Sequence, residues 1–478
     1  AEYPAIAGGE ESFSDSESYY TLRQAQAIHE TGLPWYEDPL SYGGRFLPSL
    51  FLFYYIVALF SFFLEPVIAG KIVMNLIASL ITFFVFLITN KITQNRKAAL
   101  CTAAISGFVP IYFSLTINAL TKTTVLVTFS FLFIYLFMTL KERGHLYLLM
   151  ILYLLLLLTT PAVVVIILGL FLYIILLKIE QVKVEGEEIE VTLFLAFITF
   201  WVLFLFYKEV LLFHGISFIW KNIPTLLVSS FFKSLNIPEL VVRIGILPFI
   251  CGLYIIYEYV FRKKDKTMYL LISFCITISV LVWLELFEFN KGVIFISIFL
   301  TIFFGKAFDD ALQYLEKTKF AKYTTYALIL LLMIFVVSSV VPSLAFATDE
   351  IAKSFTKEEI DAYRWLKENT PKNAVVIGAT EDGHLISYYG NRKNVMDTNF
   401  VMIPDIDERY EDLSRIYTTL SLTEAINRIN KFHGTYVMVS QRAKKEFGDD
   451  IVKYVDDPCF KVVYNESTRI YQSLCEIK

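Results

Sequence analysis

The sequence predicts a polytopic α-helical membrane protein with a C-terminal α/β domain. Three observations lead to this fold class. Of the 478 residues, 56% are hydrophobic and only 18% are charged, whereas roughly 25% are charged in a typical soluble protein. Apolar runs of about membrane-spanning length recur between residues 66 and 346. From residue 348 onward the composition is polar, and strand-like segments alternate with helix-like ones.

Residues 12–45 form an acidic arm ahead of the apolar runs. The arm contains two carboxylate pairs, Asp15 with Glu17 and Glu37 with Asp38. Taken by spacing alone, such a pair is common on any solvated loop. We interpret Glu37 and Asp38 as part of a turn that caps backbone N–H groups, and we keep the first pair as a candidate functional site.

The apolar run 46–64 has two readings. If it crossed the membrane, the arm would lie on the opposite face from the C-terminal region. If it formed a short helix at the outer interface, the two would share the external face. Pro48 and the break at Glu65 favour the interfacial helix. We therefore predict three units: an external loop with its interfacial helix (1–65), a transmembrane domain (66–347) and an external α/β domain (348–478).

Ten apolar runs are predicted to span the membrane. Four segments between them are basic, "KITQNRK", "KERGH", "FRKKDK" and "YLEKTKFAKY", and the positive-inside rule places these in the cytoplasm. With these loops in the cytoplasm, alternation of the spans puts the arm and residues 348–478 on the external face of the cell membrane. The predicted spans are 66–90, 98–116, 123–140, 146–160, 161–177, 191–207, 240–260, 268–284, 292–305 and 324–346.

Residues 348–478 read as a small sheet with helices packed on it. Thr356 and Glu359 have the spacing of a capping box, which predicts a helix that Pro371 ends. "NAVVIGA" and "TYVMVS" are typical of buried strands, and "TEAINRINKFHG" between them is typical of a helix closed by Gly434. The alternation predicts an α/β domain.

Two cysteines and one sequon fall near the C-terminus. Cys459 and Cys475 flank an alternating segment that turns near Asn465, so a hairpin would bring the two thiols together. A disulfide there would indicate an oxidising, external location; two unpaired thiols are the alternative. Asn465 opens an N-x-S triplet at the same turn, a candidate glycosylation site.

Four stretches resemble the GT-C superfamily of membrane glycosyltransferases, and within it the catalytic subunits of archaeal and bacterial oligosaccharyltransferases. "DSESYY" with "LRQAQAIHETG" resembles the first external acidic motif and the helix that follows it. "DPLSYGGRFLPSLF" is similar to the lead into the family's interfacial helix. "LNIPELVVRIG" resembles the start of the later membrane half, and "AVVIGATEDGHLISYYGNRKNVMD" the start of the external domain. The resemblance also implies a transmembrane helix ahead of the arm.

The chain departs from the family pattern at four positions. The second acidic motif becomes Thr121-Lys122-Thr123, and the motif that reads the acceptor becomes "ATEDG". The position of the family's loop carboxylate falls in "FFKS", residues 231–234, which contains no carboxylate. The position of the family's late arginine falls near Glu288. Of the family's acidic set only Asp15 and Glu17 remain, so they are weak metal candidates and we predict no required cofactor, with Mg²⁺ or Mn²⁺ as the alternative.

The resemblance implies an enzyme that takes a sugar from a polyprenyl-phosphate donor. We expect Asp15 or Glu17 to act as general base, and Lys122 and Arg45 to hold the leaving phosphate. Tyr19 and Tyr20 are expected to lean on the apolar spans and bound the substrate site. We also expect Arg23 to steady the two carboxylates, and His384 to pack at the junction between the domain and the membrane.

The implied partners are membrane lipid, the lipid-linked donor and an acceptor protein or lipid. No stripe of Lys and Arg accompanies an aromatic platform, so nucleic-acid binding is not expected. Two other functions remain open: an oligosaccharyltransferase with an unusual acceptor pocket, and a non-catalytic scaffold that binds a glycan or a protein partner.

Overall fold

The computed structural model describes residues 12–215, 223–231 and 236–475. Helices make up most of the chain up to residue 369, and a small sheet follows. The helices are α1 Glu17–Thr31, α2 Leu52–Ser61, α3 Pro66–Thr93, α4 Arg96–Ser106, α5 Pro110–Thr116, α6 Lys122–Met138, α7 His145–Leu157, α8 Val164–Ile179, α9 Gly186–His214, α10 Thr225–Phe231, α11 Ile237–Ile244, α12 Ile246–Phe261, α13 Lys266–Trp283, α14 Phe289–Glu316, α15 Thr324–Phe335, α16 Val341–Ala352, α17 Lys357–Asn369, α18 Gly383–Tyr388, α19 Ile406–Thr418, α20 Leu422–Lys431 and α21 Gln441–Phe447. The strands are β1 Glu37–Asp38, β2 Arg45–Phe46, β3 Val375–Ile377, β4 Lys393–Asn394, β5 Tyr436–Val439, β6 Phe460–Asn465 and β7 Arg469–Ser473.

Local sequence sets many of the helix starts. Pro66 and Pro110 occupy the first turns of α3 and α5, where a missing backbone N–H leaves no helical hydrogen bond unmade. Asn95, Thr121 and Asp265 cap α4, α6 and α13, because each side chain accepts from a backbone N–H of the first turn.

Six helical stretches within the described residues are long and apolar enough to cross a membrane, and eight are if two bent helix pairs each count as one span. The ten predicted spans are too many by this measure. Residues 123–140 and 146–160 form α6 and α7, which have 17 and 13 residues. At 1.5 Å per residue they reach only about 26 and 20 Å, because the chain turns between Thr139 and Gly144.

The run 46–64 contains α2, a helix of 10 residues. Such a helix is about 15 Å long, about half the thickness of a bilayer's hydrocarbon core. Tyr55 donates from its hydroxyl to the Gly32 carbonyl at 2.8 Å, and His29 Nε2 lies 3.0 Å from Ser61 Oγ. These contacts fasten α2 to the end of α1.

The arm contacts the C-terminal domain directly. Ser12 Oγ donates to the Phe355 carbonyl at 2.8 Å, and the Tyr42 N–H donates to Asn394 Oδ1 at 2.8 Å. Both hydrogen bonds are buried. The arm and the domain therefore lie on the same side of the helical bundle.

The C-terminal domain contains a five-stranded sheet in the order β4-β3-β5-β7-β6. β3 is parallel to β4 and β5, whereas β7 runs antiparallel to β5 and β6. The predicted strands and the helix α20 are confirmed, as is the capping box of Thr356 and Glu359 that starts α17. α16 runs on to Ala352, so the bundle's last helix continues past the expected boundary at residue 347 into the domain's edge.

Candidate functional site

A cavity of about 1290 Å³ lies where the arm, the bundle and the C-terminal domain meet. The arm contributes Asp15, Glu17 and Tyr20 to its wall. The bundle contributes hydroxyl and apolar side chains from α5 and α6, and the charged residues Glu285 and Glu288 just before α14. The domain side contributes mainly charged groups from α16, α17 and α21. The cavity therefore joins an apolar region to a polar one.

Asp15 lies half-buried where α1 begins. Its Oδ1 accepts from the Glu17 N–H at 3.1 Å, and its Oδ2 accepts from the N–H and the hydroxyl of Ser18, both at 3.2 Å. Ser18 Oγ in turn accepts from the Leu120 N–H at 2.8 Å. Asp15 thus caps the helix and is fixed to the loop that precedes α6.

The charge state of Asp15 is sensitive to its surroundings. Burial and then the neighbouring Glu17 carboxylate raise the pKa of Asp15 to about 7, although the Glu17 N–H, Ser18 and the charge of Lys291 oppose the change. Glu17 itself is exposed to the cavity. A carboxylate that titrates near neutral pH suits proton transfer.

Lys122 lies on the cavity wall at the start of α6. Its Nζ donates to the Tyr54 hydroxyl at 2.8 Å and lies 4.4 Å from the centre of the Tyr54 ring. Thr121, directly before it, caps α6. Lys122 therefore puts a cation in this wall, and its contact with the donor phosphate stays a prediction.

Lys291 is a cavity residue that the sequence analysis missed. Lys291 lies in the first turn of α14, and its Nζ is 2.7 Å from Oε2 of Glu288. The Lys291 charge also interacts with the charges of Asp15 and Glu17. The family's late arginine is predicted near Glu288, three residues earlier. A lone lysine in the first turn of an apolar helix is the signal that could have found it.

The C-terminal domain closes the polar end of the cavity with paired charges. Arg442 binds Glu359 and Glu381, with Nη1–Oε1 and Nε–Oε2 distances of 3.3 Å each, and its guanidinium lies 3.4 Å from the Phe355 ring centre. Lys353 Nζ lies 2.7 Å from Glu350 Oε1. Glu381, the first of the two acidic residues in "ATEDG", therefore faces the cavity in an ion pair.

Arg45 does not line the cavity, contrary to its expected contact with the phosphate. Its Nη2 lies 3.0 Å from Asp397 Oδ1, and both side chains are buried. Although burial disfavours the charge, the Arg45 guanidinium keeps the pKa of Asp397 below its usual range. Gly383 makes room for this junction, because a Cβ there would lie 2.0 Å from the Met396 carbonyl. The Arg45 charge is already matched within the protein.

Tyr19 and Arg23 also contact other partners than predicted. Tyr19 is fully buried and packs on Phe355 of the C-terminal domain, with ring centres 5.5 Å apart. Arg23 donates to Asp38 at 2.8 and 2.5 Å instead of steadying Asp15. Tyr20 alone of this group lines the cavity, between Tyr54 and His384. His384 is buried and packs on the arm.

Comparison of the fold with solved structures returns membrane glycosyltransferases. The oligosaccharyltransferase AglB from Archaeoglobus fulgidus, in complex with an inhibitory peptide and a dolichol-phosphate, superposes with a TM-score of 0.69 at 12% identity over 89% of this chain and 66% of that chain. The apo form gives 0.71 at 13% identity over 92% and 67%. ArnT from Cupriavidus metallidurans bound to undecaprenyl phosphate gives 0.57 at 10% identity over 96% and 93%.

The fold is that of the GT-C glycosyltransferases. The GT-C fold and its apolar helices make the chain a polytopic, multi-pass membrane protein. It spans about two thirds of the length of the archaeal oligosaccharyltransferase. No protein-family model matches the sequence, and neither does any curated protein.

The GT-C neighbours raise the question of a divalent metal, since one structure of the Archaeoglobus enzyme is a complex with Zn and sulfate. The residues of this chain fit such an ion poorly. Among the described residues, no group of three or more His, Cys, Asp or Glu side chains could hold a metal. Asp15 is engaged in capping α1, and Lys122 places a positive charge in the same wall. The stretch 231–234 lies outside the described side chains.

Within the described residues, the C-terminal domain ends in the hairpin of β6 and β7. Cys459 and Cys475 are joined by a disulfide bond at the base of this hairpin. Asn465 ends β6, and its side chain is exposed at the turn together with Glu466 and Ser467. Ser467 also lies at the edge of the cavity. The acceptor triplet is thus sterically accessible.

Proposed function

We propose that this protein is a membrane glycosyltransferase that transfers a sugar from a polyprenyl-phosphate donor to an acceptor on the external face of the membrane. The observation that carries the proposal is the cavity itself, whose lining includes Asp15, Glu17, Lys122 and Lys291 together with apolar side chains of the bundle. The solved GT-C neighbours that contain dolichol-phosphate and undecaprenyl phosphate support a lipid-linked donor.

Lys122 and Lys291 are suited to hold the donor phosphate. Both line the cavity where the bundle begins, so a phosphate there would leave its lipid tail among apolar helices. Lys122 is aligned by the Tyr54 hydroxyl and Lys291 by Glu288, which reduces the side-chain freedom lost on binding. Hydrogen bonds to charged groups are about twice as strong as neutral ones.

Asp15 and Glu17 are suited to act as the base. In the reaction, a carboxylate takes the proton of the acceptor group, whose freed lone pair bonds to the sugar's anomeric carbon. The bond from that carbon to the phosphate oxygen breaks, and the lipid phosphate leaves with the electron pair. Lys122 and Lys291 would stabilise the negative charge that grows on the phosphate. The polar wall around Arg442 and Glu381 would face the acceptor.

N-linked glycosylation is the second candidate. The superposition on the archaeal oligosaccharyltransferase is better than that on ArnT, with TM-scores of 0.71 and 0.57. One structure of the archaeal enzyme is tethered to an acceptor peptide containing the NVT sequon. Against this candidate, "ATEDG" replaces the family's acceptor motif, and Glu381 within it is paired with Arg442.

Transfer of labelled sugar from a polyprenyl-phosphate donor pool in membranes tests the proposal. The variants are Asp15→Asn and Glu17→Gln, and Glu30→Gln is the matched control, since Glu30 is exposed on the same helix outside the cavity. We expect transfer by the wild type and the control, and a strong loss in at least one of the other two. Offering sequon peptides and lipid acceptors separately distinguishes the two activities. Absence of transfer in all forms would favour a non-catalytic scaffold.

A further inference from the structure

A row of aromatic rings leads from Lys122 to the C-terminal domain. Lys122 Nζ donates to the Tyr54 hydroxyl at 2.8 Å. The Tyr54 ring centre lies 6.0 Å from that of Tyr20, and the Tyr20 ring centre lies 5.4 Å from that of His384. His384 Nε2 in turn lies 2.9 Å from Thr398 Oγ1. Apart from His384, the members of this row line the cavity, so the row connects the proposed phosphate position to the domain wall.

The row passes beside the candidate base Glu17. Tyr20 follows Glu17 by three residues on α1, and side chains at this spacing lie on the same face of a helix. The Glu17 charge also acts on His384. A sugar attached to a phosphate at Lys122 would therefore have Glu17 and this row along one side.

The surroundings of His384 decide which ring nitrogen has the proton. Burial lowers the pKa of His384, so the ring is neutral at neutral pH and has a single N–H. Its Nδ1 lies 3.9 Å from Oδ2 of Asp397, whose pKa the Arg45 guanidinium holds low despite burial. A proton on the nitrogen that faces an ionised carboxylate is favoured. The N–H is therefore at Nδ1, and Nε2 accepts from the Thr398 hydroxyl.

This arrangement leaves Thr398 Oγ1 as a hydrogen-bond acceptor in the cavity wall. A hydroxyl has one O–H and two lone pairs, and His384 takes the O–H. The preceding residue is held firmly, because the Asn399 N–H donates to Asp397 Oδ1 at 2.9 Å and the Tyr42 hydroxyl donates to the Asp397 carbonyl at 2.8 Å. Since Thr398 itself is only half-buried, its lone pairs are accessible from the cavity.

Other threonine hydroxyls near the cavity have local roles. Thr116 donates to a carbonyl of its own helix at 2.8 Å, and Thr356 caps α17. Thr380 of "ATEDG" donates to Glu446 Oε1 at 2.6 Å. The Thr398 hydroxyl is bonded instead to a buried histidine of another element, α18. Helix capping therefore does not explain its orientation.

We propose that Thr398 binds the sugar of the lipid-linked donor, with Oγ1 accepting a hydrogen bond from a sugar hydroxyl. His384 is a positioning residue, because it holds the Thr398 proton and so fixes the direction of the Oγ1 lone pairs. The ligand is a sugar with a hydroxyl at the position that faces Thr398, and a sugar without that hydroxyl loses the contact. The inference rests on the proposed function, since a phosphate at Lys122 places the sugar along the row.

Equilibrium binding to the purified full chain in detergent tests this contact without requiring turnover. The probes are dolichol phosphate and the same lipid phosphate carrying glucose or mannose. We expect at least one sugar-bearing lipid to bind the wild type more tightly than dolichol phosphate does. Thr398→Val should weaken binding of that lipid about 3- to 10-fold, as expected for one hydrogen bond, and should leave the binding of dolichol phosphate unchanged.

Matched variants separate a sugar contact from a change in folding. Thr398→Ser keeps the hydroxyl and should bind like the wild type. So should Thr418→Val, because the exposed Thr418 hydroxyl donates to a carbonyl of its own helix α19 at 2.9 Å. His384→Phe should weaken binding of the sugar-bearing lipid, but it should add no further loss to Thr398→Val, because His384 acts through that hydroxyl. Losses that add would indicate a merely structural histidine.

Equal affinity of the wild type and Thr398→Val for the sugar-bearing lipid would overturn the proposal. So would wild-type affinities that do not depend on the sugar, and either result leaves the transfer reaction open. If Thr398→Val does not fold, lipids carrying monodeoxy sugars decide: one should bind the wild type about 3- to 10-fold more weakly than its parent, and equal binding of all rejects the contact. Sugar-dependent binding without transfer would instead reject the proposed function and keep the contact, and no binding of any lipid would reject both.

Discussion

Arg45 of the arm and Asp397 of the C-terminal domain form a buried ion pair with an Nη2–Oδ1 distance of 3.0 Å. The pair joins segments that are 352 residues apart. Asp397 also accepts from the Asn399 N–H at 2.9 Å, and the guanidinium lies 4.5 Å from the centre of the Tyr42 ring. The contact fixes the arm that carries Asp15 and Glu17 against the domain that forms the opposite wall.

Arg45→Met is expected to lower the free energy of unfolding by about 3–5 kcal/mol, because it leaves the Asp397 charge buried without its partner. Thermal or chemical unfolding measures the loss. Lys141→Met is the control, since Lys141 and Glu185 form a solvent-exposed pair and such pairs contribute little to stability. An Arg45→Met protein of normal stability with weaker donor binding would restore the phosphate role to Arg45.

The rate of transfer is expected to rise with an inflection near pH 7 and to level off above about pH 8 if Asp15 is the base. Burial and Glu17 raise the pKa of Asp15 to about 7, so the active carboxylate form is complete only above that pH. Removing the Glu17 charge favours ionisation of Asp15. Glu17→Gln should therefore move the inflection to lower pH, and an unchanged inflection would show that another group titrates.

Neutralising the base should cost about 10²–10⁴-fold in rate, or roughly 3–5 kcal/mol in the barrier. Glu17→Gln should leave the unfolding midpoint nearly unchanged, because the side chain is exposed. Asp15→Asn should also leave stability nearly unchanged, since the asparagine Oδ1 can accept the same first-turn N–H groups and caps a helix about as well as aspartate. Equal transfer rates for wild type and both variants would remove the arm from catalysis.

Lys122→Met and Lys291→Met are each expected to raise the donor KM by about 10- to 100-fold, as a lost hydrogen bond to a charged group is worth about 1.5–3 kcal/mol. Lys445→Met is the control, because Lys445 lines the cavity on the domain side. Initial rates at varied donor concentration separate KM from kcat. A donor KM that changes equally in all three variants would indicate general electrostatics and not a phosphate site.

Transfer is expected to persist in EDTA. Within the described ranges the carboxylates do not assemble into a metal-binding group, and an octahedral ion would need more oxygen ligands than Asp15 and Glu17 supply. The measurement is the transfer rate before and after chelation. Loss of transfer that Mg²⁺ or Mn²⁺ restores would contradict this expectation.

Reduction of the Cys459–Cys475 bond, which has a sequence separation of 16, is expected to lower stability by about 3 kcal/mol in the chain-entropy model. Unfolding of wild type and Cys459→Ser with and without reductant measures this effect, with Cys251→Ala as a control that keeps the bond. Two free thiols in non-reduced mass mapping would contradict the bond itself.

Local and compositional features of this protein could be read from the sequence alone. The apolar runs indicate a membrane bundle, because a bilayer's thickness fixes how many apolar residues must follow one another. Caps such as Thr356 with Glu359 depend on groups three residues apart. The hairpin that brings Cys459 to Cys475 is also a short-range feature. The acidic arm was found through its motif, and the structure places both of its candidate carboxylates in the cavity.

The tertiary structure alone decided which charges meet. The sequence shows no partner for Arg45, but in the structure Arg45 forms an ion pair with Asp397 from a distant part of the chain. Arg23 forms an ion pair with Asp38. Lys291 reaches Asp15 and Glu17 only because α14 begins beside the arm. Sequence spacing carries no information about such pairs, since a charge acts over a few ångströms of space and not along the chain.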